Sequence, residues 1–400
     1  MGGGRSGGAG CGDSGGGSVR ASIISAAAVA ALVGYGSTIA LVLGAAAALG
    51  ATPAQTASWV LAVCLTKALG SAALSAWTRI PVVLAWSTPG AALIAGSDGL
   101  TMGQGVAAFL LAAGLILLTG LIRPLSSLIA GIPAAVASGM LAGVLLPFCL
   151  AVPLQAAALP GQVLPVILVF VGVRLWNPAF AVLAALATGV VLAVLGGGAV
   201  ATPALALPHL MLIRPDFTAA ALIGLGLPLY LVTMASQNLP GFAVLQGAGY
   251  APPVQKALTV TGGLSAIGAL FGAHTINMAA ITAAICLGDE VEPDRAQRWK
   301  VGLAYGFCWL LLGLSGPLLL AALAAVPPGL VATVVGLALV APMIGALTQA
   351  FAAPEQRFTA ASTLVVAASG VSAFHIGAAF WALVAGLALH LLQQTAARRA

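Results

Sequence analysis

The chain has 400 residues, 61% of them hydrophobic and only 6% charged, with a mean hydropathy of +1.13. Soluble domains are typically about a quarter charged, so 14 basic and 8 acidic side chains cannot wet a surface of this size, and lipid must be the solvent for most of it. The net charge of +6 does not mark a nucleic-acid binder, because Lys and Arg are scattered singly with no basic stripe or interleaved aromatics.

Residues 1–20 are rich in Gly and Ser, cannot bury a core, and read as a disordered tail. They lack the short apolar core and cleavage site of a secretory signal, so the first apolar run is expected to be retained. From there, apolar runs bounded by Gly, Pro and charge predict about fourteen spans: 21–49, 54–77, 81–97, 101–122, 125–149, 162–175, 178–196, 217–237, 252–270, 272–287, 297–323, 328–349, 357–369 and 371–394. The expected fold is thus an all-α polytopic membrane protein. With the N-terminus inside, twelve of the 14 basic residues fall on the cytoplasmic side (Arg5, Arg20, Arg79, Arg123, Arg174, Lys256, Arg295, Arg298, Lys300, Arg357, Arg398 and Arg399). Arg214 falls outside and Lys67 within a span. This bias supports both the count and an orientation with the two termini cytoplasmic.

The first span carries Gly34-Tyr35-Gly36-Ser37-Thr38, where Tyr35 and Ser37 are candidates for a ligand site. Lys67 lies near the middle of the second, about 15 Å by helical rise from Trp77. A lysine at that depth is a functional candidate by default; with no acid in sight it is either neutral or holds backbone carbonyls. The third span, Pro81 to Ser97, is interrupted. Pro81 to Trp86 is β-prone, Ser87 or Thr88 supplies an N-cap, and Pro89 fits the first helical position ahead of Gly90. The helix that follows covers only about 14 Å and starts near mid-membrane.

The long segment 197–216 divides the chain into two halves of seven spans, and an odd number inverts the second half relative to the first. The eighth span ends in Ser236-Gln237-Asn238-Leu239-Pro240-Gly241. Gln237 and Asn238 are costly in lipid and face either a ligand site or a neighbouring helix. The tenth span repeats the broken plan of the third: small and apolar residues through His274, capping types at Thr275 or Asn277, then a short helix. Two such helix starts in the bilayer leave unpaired N–H groups and positive dipole ends, which predicts a midplane site for a small anion. The alternative is a pair of kinked helices whose donors meet Ser and Thr. Tyr35 and Trp86 serve either as walls for a ring or as packing. His274 suits proton exchange by its ordinary pKa near 6.5, or else sits neutral against backbone.

Other chemistry-bearing residues read more simply. Asp289 to Lys300 is a wetted loop, His209 is solvated, and His375 and His390 pack in the last spans. The five cysteines show no metal or CxxC spacing. No P-loop lysine follows a glycine run, and neither a nucleophile–base pair nor an HExxH motif is present, so no cofactor, no metal and no enzyme activity are expected.

Three motifs resemble the benzoate/proton symporter (BenE) family: Arg79 to Ala91, with Pro81, Trp86, Pro89 and Gly90; Gln237-Asn238-Leu239-Pro240-Gly241-Phe242 with Tyr250-Ala-Pro-Pro253; and His274-Thr275-Ile276-Asn277-Met278 through Thr282. The similarity runs from about residue 20 to 395. It implies the seven-plus-seven inverted-repeat fold shared with uracil and sulfate transporters, with a short strand and half-helix in segments 3 and 10. It also implies a core in two parts (21–122 and 217–323) that moves as an elevator against a gate in two parts (123–196 and 324–395), with 197–216 as connector and 396–400 as a cytoplasmic tail. The implied activity is proton-coupled uptake of an aromatic carboxylate across a bacterial inner membrane, by a chain that many relatives' habit makes a homodimer through the gate. Uracil-type relatives carry carboxylates in spans 8 and 10. Here all eight acids (Asp13, Asp98, Asp216, Asp289, Glu290, Glu292, Asp294 and Glu355) lie in the tail or connections, which leaves His274 and Lys67 as coupling candidates. The competing reading is an uncoupled exchanger or facilitator of another small organic anion.

Overall fold

The computed structural model describes residues 15–97, 99–122, 133–178, 180–196, 208–317, 321, 326–371, 373 and 377–397, with the side chains of 15–21, 37 and 397 outside that set. Among these residues the chain forms fourteen helices and two short strands, one element or strand–helix pair for each expected span. In chain order they are α1 (Gly15–Ala48), α2 (Pro53–Thr78), β1 (Leu84–Trp86), α3 (Thr88–Ala95), α4 (Met102–Leu121), α5 (Ala134–Ala158), α6 (Pro160–Trp176) and α7 (Ala181–Leu195). The second half follows as α8 (Ala220–Gly247), α9 (Val254–Ala269), β2 (Ile276–Met278), α10 (Ile281–Cys286), α11 (Lys300–Leu314), α12 (Pro328–Ala350), α13 (Arg357–Ala368) and α14 (Ala378–Ala397). Seven of the helices are long and apolar enough to cross a bilayer.

Several boundaries differ from the sequence reading, the last helix starting at Ala378 instead of 371 among them. The first helix begins at Gly15, so 15–20 are helical rather than tail; residues 1–14 lie outside the described set. The fifth helix is displaced to Ala134–Ala158, running through Pro147 and Pro153 instead of stopping before the second. Prolines are tolerated there because neighbouring helices and local adjustment re-satisfy the freed carbonyls. The eighth helix continues ten residues past 237. Its two π-helical stretches, Ala220–Gly226 and Met234–Asn238, each end just before a proline, Pro228 and Pro240. The wider i→i+5 turn absorbs the missing proline N–H and ring clash, so Pro240 does not end the helix.

The packing shows the twofold plan directly. Exchanging each helix with the one seven places along converts α2 on α11 into α9 on α4, α1 on α3 into α8 on α10, α1 on α10 into α8 on α3, and α6 on α7 into α13 on α14. One set of contacts joins α1–α4 with α8–α11; another joins α5–α7 with α12–α14. Close approach in the first set requires glycine. A Cβ added at Gly306 of α11 would lie 2.7 Å from the carbonyl oxygen of Ala68 in α2, an obstacle of backbone that cannot swing aside.

Both interrupted segments are real, and they meet. β1 and β2 pair antiparallel, with Leu84 opposite Met278, Ala85 opposite Asn277 and Trp86 opposite Ile276. The ladder continues outward through Ser87 N–H to the Thr275 carbonyl (3.0 Å) and Ala279 N–H to the Val83 carbonyl (3.0 Å). A strand has two edges, and in lipid both need partners. Two serines related by the twofold plan serve the outer edges. Leu84 N–H donates to Ser71 Oγ of α2 at 3.1 Å, and Ile276 N–H donates to Ser265 Oγ of α9 at 3.0 Å. Each short helix starts where its strand ends, so the two helix starts abut opposite ends of the ladder.

Candidate functional site: an aromatic cluster and a hydroxyl chain at the paired strands

Ser87 caps α3 as expected: its Oγ accepts from Gly90 N–H at 3.1 Å. Pro89 occupies the second helical position rather than the first, and Thr88, half-buried, the first. Gly90 is needed where it stands, since an added Cβ would meet Leu229 at 2.5 Å and Ser87 Oγ at 2.7 Å. The tenth segment departs from expectation. Neither Thr275 nor Asn277 caps α10; Asn277 lies within β2, and the six-residue helix starts after Ala280 with no side-chain cap. An extended chain puts alternate side chains on opposite faces, so the polar residues of this segment serve the ladder's faces instead of its helix.

A chain of hydroxyls crosses from one half to the other. The Thr233 hydroxyl of α8 donates to Ser87 Oγ at 2.9 Å, and it lies 3.0 Å from Thr275 Oγ1. A hydroxyl has one proton, so Thr275 donates to Thr233. Ser87 Oγ thus accepts twice, and its own proton has no acceptor among the described residues. Asn238 is committed to structure: its Oδ1 accepts from Met278 N–H at 2.9 Å on the outer edge of β2, and its Nδ2 faces Met234 Sδ at 3.3 Å. Asn277 Nδ2 donates to the Met278 carbonyl at 2.7 Å and to Gln237 Oε1 at 3.3 Å. The π turn 234–238 brings Gln237 and Asn238 onto the strand.

His274 is fully buried, and Trp59 Nε1 donates to its Nδ1 at 3.0 Å. An accepting Nδ1 carries no proton, so the ring is held as the neutral Nε2–H tautomer. That Nε2 lies toward the Ser87 backbone but outside hydrogen-bond geometry. Doubly protonating the ring would break its bond to Trp59.

On the other side of the ladder stands an aromatic cluster. Trp86, in β1, donates its Nε1–H to Thr38 Oγ1 of α1 at 2.5 Å. Tyr35 of α1 lies 5.9 Å from Trp86 and 5.8 Å from Trp309 of α11 between ring centroids, and the two indoles are 5.1 Å apart, edge to face. Tyr305, one helical turn from Trp309, packs on it at 5.9 Å and donates to the Leu84 carbonyl at 3.0 Å. Gly34 lets α1 come this close, since a Cβ there would lie 3.3 Å from Trp309 and 3.4 Å from Thr282. Lys67 is 1% exposed, with its Nζ 2.9 Å from the Trp309 centroid and 4.1 Å from that of Trp86.

Beside this cluster Tyr35 Oη, Thr282 Oγ1 and Trp309 Nε1 make no hydrogen bond, the last two lying toward the Tyr305 hydroxyl without meeting it, and on the ladder's other face Asn277 Oδ1 is likewise unmet. Each such group costs about 1–3 kcal/mol if left unmet. The first three can donate and stand beside aromatic faces, and Ser87 adds a proton on the ladder's other face. The structure therefore gathers Tyr35, Trp86 and Lys67 on one side of the ladder and Ser87, Thr275 and Asn277 on the other, leaves Asn238 and His274 in bonds to strand and indole, and places Ser37 outside the described side chains. Sequence reasoning missed Thr233, Thr282, Tyr305 and Trp309. The one signal available was the pair Tyr305 and Trp309, spaced to share a face of the span that follows the second break.

Where the two packing sets meet, a cavity of about 290 Å³ lies against the C-terminal end of α3, lined by Leu93, Ser97, Val144, Phe148 and Gly224 among others. His209 is exposed, His390 bonds Gln394 at 2.8 Å, and His375 lies outside the described residues.

Comparison with known proteins decides the family. A family profile described as "Benzoate membrane transport protein" matches residues 17–392. The chain belongs to the BenE family. It is 40% identical over 364 residues to the "Inner membrane protein YdcO" of Escherichia coli (strain K12), covering 90% of this chain and 92% of that one. It is 29% identical over 368 residues to the "Benzoate membrane transport protein" of Acinetobacter baylyi (strain ATCC 33305 / BD413 / ADP1), covering 91% and 93%. In fold it resembles the transmembrane domain of the cyanobacterial bicarbonate transporter BicA, with a TM-score of 0.62 at 16% identity over 92% of this chain and 97% of that one. The murine anion transporter Slc26a9, in its inward-facing state, matches with a TM-score of 0.60 at 12% identity, over 93% and 68%. BenE proteins are membrane transporters, not enzymes, and this chain is a multi-pass membrane protein with the inverted-repeat fold of those neighbours.

Proposed function

We propose that this BenE-family transporter imports benzoate or a related aromatic carboxylate, together with protons, across a bacterial inner membrane. The observation that carries the reading is the group of unpartnered donors, Tyr35 Oη, Thr282 Oγ1 and Trp309 Nε1, set against two indole faces beside the paired strands. Oxygen-accepting, ring-bearing guests fit that set. A carboxylate accepts at up to four lone-pair sites, and its ring stacks on or meets the edges of Trp86 and Trp309. The Ser87 proton and the start of α3 add donors from the ladder.

The first packing set acts as the moving core and the second as the gate, with the cavity at Leu93 and Phe148 as part of the route between them. Movement of the core would carry the site past the gate in an elevator stroke. Both termini face the cytoplasm, in keeping with the basic bias, and the gate joins two copies in a homodimer through helices such as α6, whose Leu168, Leu175 and Trp176 are exposed. Uptake of labelled benzoate into proteoliposomes under an inward proton gradient tests the reading. Accumulation above an uncoupled control is expected; equal uptake in both refutes the coupling, and no uptake refutes the substrate.

One observation favours a second reading. No Asp or Glu stands in any span, so the usual proton carrier is missing and the chain would be an uncoupled facilitator or exchanger of a small organic anion. Uptake independent of pH selects it.

A further inference from the structure

Lys67 is the one buried lysine among the described residues, and nothing acidic accompanies it. The groups that face it are Cys64 on its own helix, the Trp309 indole from α11 and Trp86 from β1, with His274 near enough to feel its charge and Tyr35 and Tyr305 packed on the same indoles. None carries a negative charge at neutral pH. An uncompensated ammonium at this depth is costly, whereas π faces offer only partial compensation. His274, held by Trp59, is not free to supply a proton.

We infer that Lys67 is the counter-charge of the transported carboxylate and the carrier of its proton, and that the Trp86–Trp309 cage is its resting place in the empty transporter. This rests on the substrate class proposed above. As the carboxylate docks from the outer side, the Lys67 amine gains a proton from water, forming one N–H bond, and the ammonium pairs with the carboxylate. The pair crosses with no net charge. On the inner side the carboxylate leaves, the N–H bond breaks, the proton passes to water, and the neutral amine turns its N–H groups back onto the indole faces. One proton moves per anion, and no oxidant or reductant is involved. The cage also serves specificity: when the lysine leaves the ring faces, those faces become free for the ring of the guest.

The test uses the purified full-length protein with benzoate and its uncharged isostere benzamide, following binding by calorimetry and proton uptake in weak buffer at alkaline pH. In the wild type, benzoate binding is expected to take up one proton. Lys67→Met, a linear side chain of similar length, should weaken benzoate on the order of 100-fold and change benzamide far less. Lys67→Arg keeps its charge at all working pH; it should bind and exchange benzoate with no proton uptake and no gradient-driven accumulation. Proton uptake persisting in either variant, or unaltered benzoate affinity in Lys67→Met, overturns the inference. A wild type that binds no benzoate overturns the substrate reading instead, so the two failures are distinct. Should Lys67→Met fail to fold, the proton count of Lys67→Arg decides alone.

Discussion

The two interrupted segments share a backbone plan and divide the chemistry. Segment 3 contributes an indole, Trp86, and an eight-residue helix closed by the Ser87 cap. Segment 10 contributes amide and hydroxyl groups, Thr275 and Asn277, and a six-residue helix with no side-chain cap. Their strands pair residue for residue, and each outer edge is served by a serine from the second helix of its half. Backbone symmetry is what a bilayer demands of two broken helices, because every N–H and C=O must be met. Side-chain asymmetry is what the proposed guest, with a ring at one end and a charge at the other, would demand of its site.

Substitutions can break this comparison in graded steps. The largest effect is expected at Trp86→Ala. It removes a buried indole, its bond to Thr38 and one wall of the Lys67 cage, and should cost about 3–5 kcal/mol in a chemical-denaturation series and abolish benzoate binding. In segment 10, Asn277→Ala should cost about 1–3 kcal/mol in the same series, because the Met278 carbonyl and Gln237 Oε1 lose their donor, and should weaken benzoate in calorimetry far less than Trp86→Ala does. His274→Phe should lower stability by about 1–3 kcal/mol, because the Trp59 N–H loses its acceptor, yet leave the pH profile of uptake in place; a flattened profile would return His274 to the coupling role. Ser71→Ala and Ser265→Ala each strand one outer N–H, and should destabilise by about 1–2 kcal/mol to a similar extent. A large inequality between them would show that the two edges are not equivalent.

Much of this was readable from residues. The count of spans, the inversion between halves and the breaks at 81–97 and 272–287 follow from apolar run length, basic-residue bias and the Ser87-Thr88-Pro89 signal. The meeting of the two breaks was not, because a three-residue strand carries too few positions for period-two alternation to specify a partner. Capping logic failed at Thr275 and Asn277 for the same reason: residues that cap helices also serve strand edges, and only tertiary contacts choose. Pro240 misled as a stop signal, since its cost was met by a π turn that is silent in sequence. Lys67 stood out by burial cost, yet its partners Trp86 and Trp309 lie 19 and 242 positions along the chain and could not be named from it.

The most direct check on the central claim is a structure of the protein with 4-bromobenzoate, locating bromine by its anomalous signal. The account predicts one strong site beside the β1–β2 ladder, with the ring against Trp86 and Trp309 and the carboxylate within reach of Lys67 and Tyr35. Bromine found elsewhere, with those two indoles still closed over the Lys67 amine, would contradict it.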